Sequence, residues 1–302
     1  MLGELKNQIY PLSLTPIMSE RPWGQRKPSA YYESDSQANW GEIFLAVRDY
    51  GLTSRIATGP LSGQPIHKIG QTWGRELADP PGAVGWPIPF TVWLERTGDG
   101  PSPVRVKSGP EFWLVLESDP DSWLGAGLEA NQNSWPQKLS RRLTEPGEVL
   151  IMPAGLPHAQ GPAMTVLKAC PVKIGLETLY NWDRRPDAWD YQSPPGYQVP
   201  QTSEPPVFFN PLSKTDGYNL LAQGPGITVH LLNTTFQAFK GGRFSIICPI
   251  KGQGRLNSSG AFPTIRLRPG GATLIPSGLG PHSIVSNSSL SAVMFSGPNH
   301  NG

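Results

Sequence analysis

The sequence predicts an all-β protein made of two related barrels, with a short helical insertion in the first. Composition is the first reason: 302 residues include 34 Gly and 34 Pro, and only 16% are charged. That balance suits short strands between turns better than long helices. The second reason is punctuation, since short apolar runs recur between Pro, Gly, Asn and Ser. The third is a repeated segment. Pro146-Gly147-Glu148-Val149-Leu150-Ile151-Met152-Pro153-Ala154-Gly155-Leu156-Pro157-His158 returns as Pro269-Gly270-Gly271-Ala272-Thr273-Leu274-Ile275-Pro276-Ser277-Gly278-Leu279-Gly280-Pro281-His282. Each copy reads as a turn, an apolar strand, a Pro/Gly corner and a histidine opening the next strand. A histidine at such a corner points into the mouth of its barrel, where small ligands and metals bind.

The elements follow in order. Residues 8–18 alternate loosely and give an entry strand; 41–47 give another. Residues 64–78 hold few breakers and put Ile66, Ile69 and Trp73 on one helical face. Residues 90–94 and 104–107 are predicted as strands paired around the turn Gly98-Asp99-Gly100-Pro101. Residues 111–117 give a further strand, and 121–143 are the best place for the helical insertion. Strands return at 149–152, 165–170 and 176–182. Residues 185–212, rich in Pro, Ser, Gln and Tyr, have little periodicity and read as an extended connection. Beyond 227, strands at 229–232, 243–250, 264–267, 272–275, 283–285 and 292–295 make one compact barrel, and 297–302 a mobile tail. The organisation is therefore a first barrel over 1–190, a crossover over 191–226 and a second barrel over 227–302.

The formal charge is +2 and no long basic run occurs, so nothing points to nucleic acid. No apolar run reaches the ~20 residues that span a bilayer, and the N-terminus has no charged-then-apolar signal pattern. Cys170 and Cys248 both lie in apolar strand-like runs and read as buried free thiols, which fits a reducing compartment. A cytoplasmic protein is expected, with a small molecule rather than a nucleic acid or a membrane as partner.

A family resemblance rests on several short matches in order. They are Pro22-Trp23-Gly24; Gly41-Glu42, followed by Gly59-Pro60-Leu61-Ser62-Gly63; the strand Glu111-Phe112-Trp113-Leu114-Val115-Leu116; the Pro146 to Ala159 stretch; and Tyr180-Asn181-Trp182-Asp183-Arg184. Together they resemble the type I mannose-6-phosphate isomerases, which are double-cupin proteins. The resemblance covers most of the first 190 residues and, more weakly, the second barrel. It implies two cupin barrels, and in the first an active site for an aldose–ketose isomerase acting on a sugar phosphate.

The resemblance also implies a zinc site, which this sequence alters. The family holds zinc with a glutamine or similar residue, a histidine two positions on, the strand glutamate and the corner histidine. Glu111 and His158 stand in the last two places and are the metal ligands if a metal is bound. The first two read Arg105 and Lys107, which carry protons where zinc requires lone pairs. Lys168 and Thr178 stand where the family offers a glutamate and an arginine, and Trp93 and Gly109 where it offers lysines. No cofactor is expected, with zinc possible. Trp23 and Glu42 match substrate-pocket positions; with Arg105 and His158 they are the candidate substrate-binding residues. Lys107, Glu111 and Arg184 are the candidate catalytic ones.

Lys107 as a fixed cation beside Glu111 and His158 suits an anionic or polyhydroxyl ligand, or the polarisation of a carbonyl. Three readings stay open at this stage. The first is a sugar or sugar-phosphate binder with the zinc site lost. The second is an active isomerase interconverting mannose 6-phosphate and fructose 6-phosphate, or a related sugar pair, through an enediol. The third is a non-catalytic structural or interaction protein, in which the cluster is a matched salt bridge. His282 is expected to be a packed or rim histidine, His67 a surface one and His230 a core one. Trp93, Trp113 and Phe112 read as core aromatics whose faces also suit sugar rings.

Overall fold

A computed structural model describes residues 9–26, 31, 38–48, 51–74, 77, 88–129, 137, 139–171, 175–184, 205–209, 217–224, 226–258 and 264–297. Among these residues strands predominate, with one α-helix. The all-β expectation holds. The helix, Ile66–Trp73, buries Ile66, Ile69, Gly70 and Trp73 and falls within the predicted 64–78. Trp73 meets Tyr10 edge-on at 5.5 Å.

The strands form three sheets. Strands Trp40–Ala46, Phe90–Thr97, Glu111–Ser118, Val149–Met152 and Met164–Pro171 belong to a seven-stranded sheet. Val104–Lys107, Trp123–Leu128, Leu139–Leu143, His158–Gln160 and Leu176–Tyr180 make a five-stranded sheet. The described strands from Gly217 onward, with Leu12–Thr15 and Arg55–Ile56, form a nine-stranded sheet. The entry segment splits at Pro16. Ile17–Gln25 pairs with Trp40–Ala46, whereas Leu12–Thr15 joins the C-terminal sheet beside Ala272–Ile275.

Two local expectations are corrected. Residues 121–143 hold no helix among those described: Trp123–Leu128 pairs antiparallel with Leu139–Leu143. Glycine makes this possible, because a Cβ on Gly125 would lie 2.2 Å from Leu139 Cδ2. Residues 90–94 and 104–107 are not partners either. Phe90–Thr97 pairs with Met164–Pro171 and Trp40–Ala46, and Val104–Lys107 with His158–Gln160 and Leu176–Tyr180. The Gly98 turn crosses between sheets and is pinned there by Ala163 N–H to Gly98 O at 2.7 Å and Ser102 N–H to Gln160 O at 2.8 Å. In the predicted crossover, Val207–Phe209 pairs with Val149–Met152 and Gly217–Gly224 with Ile227–Phe239; residues 185–204 and 210–216 lie outside the described residues, as do 298–302 of the tail.

The repeated segment folds the same way twice. Gly147 and Gly270 take positive φ, +93° and +78°, the conformation a Pro-Gly turn requires at its second residue. Leu156 N–H donates to Pro153 O, and Leu279 N–H to Pro276 O. At each corner the histidine Nδ1 lies against a carbonyl two residues back, Leu156 O at 2.8 Å for His158 and Gly280 O at 3.0 Å for His282.

Alternation along the strands decides where the site sits. In Glu111–Ser118, Phe112, Leu114 and Leu116 join the largest apolar cluster, together with Phe244, Ile246 and Phe295 of the C-terminal sheet. Phe112 meets Phe295 edge-on at 5.8 Å, and Phe90 meets Phe244 at 5.9 Å. The alternate residues Glu111, Trp113 and Val115 turn the other way, into the first barrel, as do Trp93 and Glu95. Both faces of these strands are buried, so a charge on the inner face has to find its partner inside.

Candidate functional site: a buried ion network

Among the described residues the first barrel holds a set of ionic side chains that are almost wholly buried. Arg21, Glu42, Glu95, Arg105, Lys107, Glu111 and Lys168 are each between 2% and 6% exposed, and His158 is 4% exposed. They fall into two groups.

The inner group is centred on Glu111. Lys107 Nζ donates to Glu111 Oε1, and His158 Nε2 lies 2.7 Å from Glu111 Oε2. The His158 Nδ1 contact to a carbonyl fixes a proton on that nitrogen, since a carbonyl only accepts. Its other nitrogen, Nε2, is the one that faces the Glu111 carboxylate. Burial alone would raise the Glu111 pKa, but Lys107 and then His158 hold it well below the ordinary 4.5. Lys168 adds a second ion pair, 2.6 Å from Glu95 Oε2. Its register neighbours are Trp93 and Trp113, and its ammonium sits 3.5 Å from the Trp113 ring centroid. Lys107 Nζ sits 4.3 Å from the Trp93 centroid. Each ammonium thus has a carboxylate and an indole face.

The outer group is centred on Glu42. Arg21 Nε donates to Glu42 Oε2 at 2.7 Å and Arg105 Nη1 to Glu42 Oε1 at 3.0 Å. Three guanidiniums surround the indole of Trp23: Arg105 at 5.0 Å, Arg184 at 5.4 Å and Arg21 at 5.8 Å from its centroid. Arg184 also donates Nε–H to Asn181 Oδ1 at 3.1 Å. Trp23 further lines a cavity of about 640 Å³ with Gln25, Arg26, Asn39 and Asp99. Gly100 lines the same cavity, and a Cβ placed on it would lie 3.7 Å from Arg184 Nη1. A larger groove of about 1080 Å³ runs along residues 10–16, 57–60 and 264–273, away from both groups.

The structure therefore brings Lys107, Glu111 and His158 into one cluster, and Trp23, Glu42, Arg105 and Arg184 into another. Arg184 joins the outer group, not Lys107 and Glu111. Sequence reasoning missed Glu95 and Arg21 and left Lys168 as a departure without a role. A signal was present: Glu95 lies two residues from Trp93, and Arg21 two from Trp23, each on the same face of its strand as a buried indole. Trp93 and Trp113, read as core aromatics, are the faces that receive the ammoniums.

Burial would raise the Glu95 pKa, but Lys168 and Arg105 bring it down to about 2 from 4.5. A depressed carboxylate pKa stabilises the fold above the unfolded value, and that stability is lost as pH falls toward the folded one. The melting temperature is expected to fall between about pH 4.5 and about pH 2, with a flatter fall in Glu95→Gln than in the wild type. Parallel pH profiles would show that Glu95 does not drive the acid transition.

Two cupin-type barrels built on one strand–corner–His unit, the first enclosing a polar cluster, define the architectural class. Solved structures of the same fold are mannose-6-phosphate isomerases. The enzyme from Bacillus subtilis is 18% identical with a TM-score of 0.72, the match covering 95% of this chain and 99% of that one. A putative mannosephosphate isomerase from Archaeoglobus fulgidus is 15% identical, TM-score 0.67, covering 96% and 98%. A zinc-bound mannose 6-phosphate isomerase is 11% identical, TM-score 0.69, covering 94% and 98%. At these identities the likeness is one of fold. No protein-family model and no curated protein sequence matches the chain. No helix among the described residues is long and apolar enough to cross a membrane.

Proposed function

We propose that this chain is a metal-independent cupin with the mannose-6-phosphate isomerase fold, binding a sugar or sugar phosphate in its first barrel. The donor set does not fit the zinc that the fold family implies. Zinc takes four N, O or S lone pairs in a structural site, or three plus an open position in a catalytic one. Among the described residues no group of three or more His, Cys, Asp and Glu is arranged to hold a metal. Glu111 and His158 are the two potential ligands, and both are engaged: Glu111 accepts from Lys107, and His158 lies against the Leu156 carbonyl through Nδ1 and against Glu111 through Nε2. A zinc ion here would also stand against the Lys107 and Lys168 ammoniums.

The observation that carries the reading is the position of Trp23. It lines a cavity in the range that small ligands fill, and its ring lies 5.0 Å from the guanidinium of Arg105, which joins the ion network through Glu42. Guanidiniums and indole faces together suit a phosphorylated sugar. Two buried free thiols, Cys170 and Cys248, accord with the reducing cytoplasm as the site of action.

Calorimetric titration with mannose 6-phosphate and fructose 6-phosphate tests the proposal. Saturable binding is expected in the wild type and its loss in Lys107→Ala. Binding that is the same in Lys107→Ala would sink it. Turnover of mannose 6-phosphate that disappears in Glu111→Gln would move the reading to an active isomerase.

A further inference from the structure

The second barrel repeats the histidine corner but surrounds it differently. Phe239 stacks on His282, with centroids 5.1 Å apart and planes at 16°. Tyr218 meets Phe239 edge-on at 5.8 Å and lies flat on His230, at 4.2 Å and 11°. Among the described residues no carboxylate pairs with His230, His282 or Arg243, in contrast to Glu111 in the first barrel.

Register places a polar patch beside these rings. Ser296 is flanked across the sheet by Thr228 on one strand and Ser245 on the other. His230 is two residues beyond Thr228, so alternation puts Thr228, His230, Ser245 and Ser296 on one face, and Arg243 lies in the bend just before the strand Ser245–Lys251, close enough to bear on His230. The same face carries Leu232, Ile247 and Met294, which pack inside this barrel. Ser296 is fully buried, yet its Oγ has no hydrogen-bond partner; Arg243 Nε and His230 Nδ1 have none either. Arg243 reaches the carbonyl of Gly297 at 3.4 Å. Burial, with Arg243 adding to it, holds the His230 pKa down to about 4. A guanidinium without a carboxylate, beside an unmet hydroxyl and an unmet imidazole nitrogen, is a costly arrangement until acceptor oxygens arrive.

We infer that this end of the second barrel binds an oxyanion, the carboxylate or phosphate group of a small metabolite, on Arg243, Ser296 and His230 beneath Tyr218. Arg243 and Ser296 donate to the anion's oxygens, and His230 donates once it takes the proton that the incoming charge favours. This site is independent of the first-barrel reading, and nothing in it requires a metal.

The test is a proton NMR titration of the full-length protein at constant ionic strength, with inorganic phosphate and acetate in separate arms and chloride as the reference. The His230 resonance is assigned by its disappearance in His230→Asn. A saturable shift of that resonance is expected with phosphate or acetate; the arm that saturates at lower concentration identifies which oxyanion fits. Arg243→Gln and Ser296→Ala are each expected to weaken binding about tenfold or more, the loss of one hydrogen bond to a charged group. No saturable shift with either anion in the wild type would overturn the inference. Equal affinity in Ser296→Ala and Arg243→Gln would overturn it too, and Ser296→Ala alone decides if Arg243→Gln does not fold. Because the readout is local to His230, its failure leaves the sugar-phosphate titration of the first barrel untouched.

Discussion

Glu111→Ala is expected to destabilise the protein by about 3–5 kcal/mol, the usual cost of removing one partner of a buried ion pair. For a chain of this size the melting temperature should fall on the order of 10 °C. Glu111 is 2% exposed, and its two oxygens meet Lys107 and His158, themselves 5% and 4% exposed. Removing the carboxylate leaves the buried Lys107 ammonium without its counter-charge and His158 without its Nε2 partner, with Lys168 nearby. The indole of Trp93 softens the loss for Lys107 but is worth only about 0.5–2 kcal/mol. Replacing both partners, as in Lys107→Met with Glu111→Met, removes the charges together and should cost much less than the sum of the single changes. Thermal unfolding of the two single variants and the double variant measures this. A Glu111→Ala protein that melts with the wild type would mean that the network does not hold the barrel interior.

Zinc binding should appear in the double variant Arg105→Gln/Lys107→His. Both positions lie on Val104–Lys107, two residues apart and therefore on one face, and both face into the barrel. The change supplies two lone pairs, removes two positive charges and frees Glu111 and His158 to act as ligands, which completes a four-donor set. The variant gives up the Arg105 bond to Glu42, whose partner Arg21 remains. Zinc is then expected to raise its melting temperature, because metal that binds only the folded state stabilises it by mass action. Elemental analysis and thermal unfolding with and without zinc give the answer. A folded double variant that takes up no zinc would mean that the corner geometry itself, and not the two cations, excludes the metal.

The sequence exposed the parts of the fold governed by short-range rules. Pro-Gly turns and apolar runs marked the repeated corners, and hydrophobic spacing found the helix over 66–73. Residues 121–143 misled because glycines at 125 and 127 and the interrupted polar stretch resemble neither period clearly; Trp123–Leu128 pairs with His158–Gln160, some 30 residues away, and Leu139–Leu143 pairs in turn with Trp123–Leu128. The turn at Gly98 looked like a hairpin because turn residues announce a reversal but not which sheet the next strand enters. The Lys107, Glu111 and His158 cluster was legible through a resemblance. Glu95 with Lys168 and Arg21 with Glu42 were not, because each pair joins residues 73 and 21 positions apart, and only the inward face of the closed barrel brings them together.

The most direct test of a metal-independent first barrel is metal content. The wild-type protein would be purified without added metal and measured by mass spectrometry, then again after zinc soaking and desalting. No stoichiometric zinc in either sample is predicted, because Lys107 and His158 already occupy the two oxygens of Glu111 and the described residues bring no third ligand to them. One zinc per chain retained after desalting would contradict the account and return the first barrel to zinc chemistry.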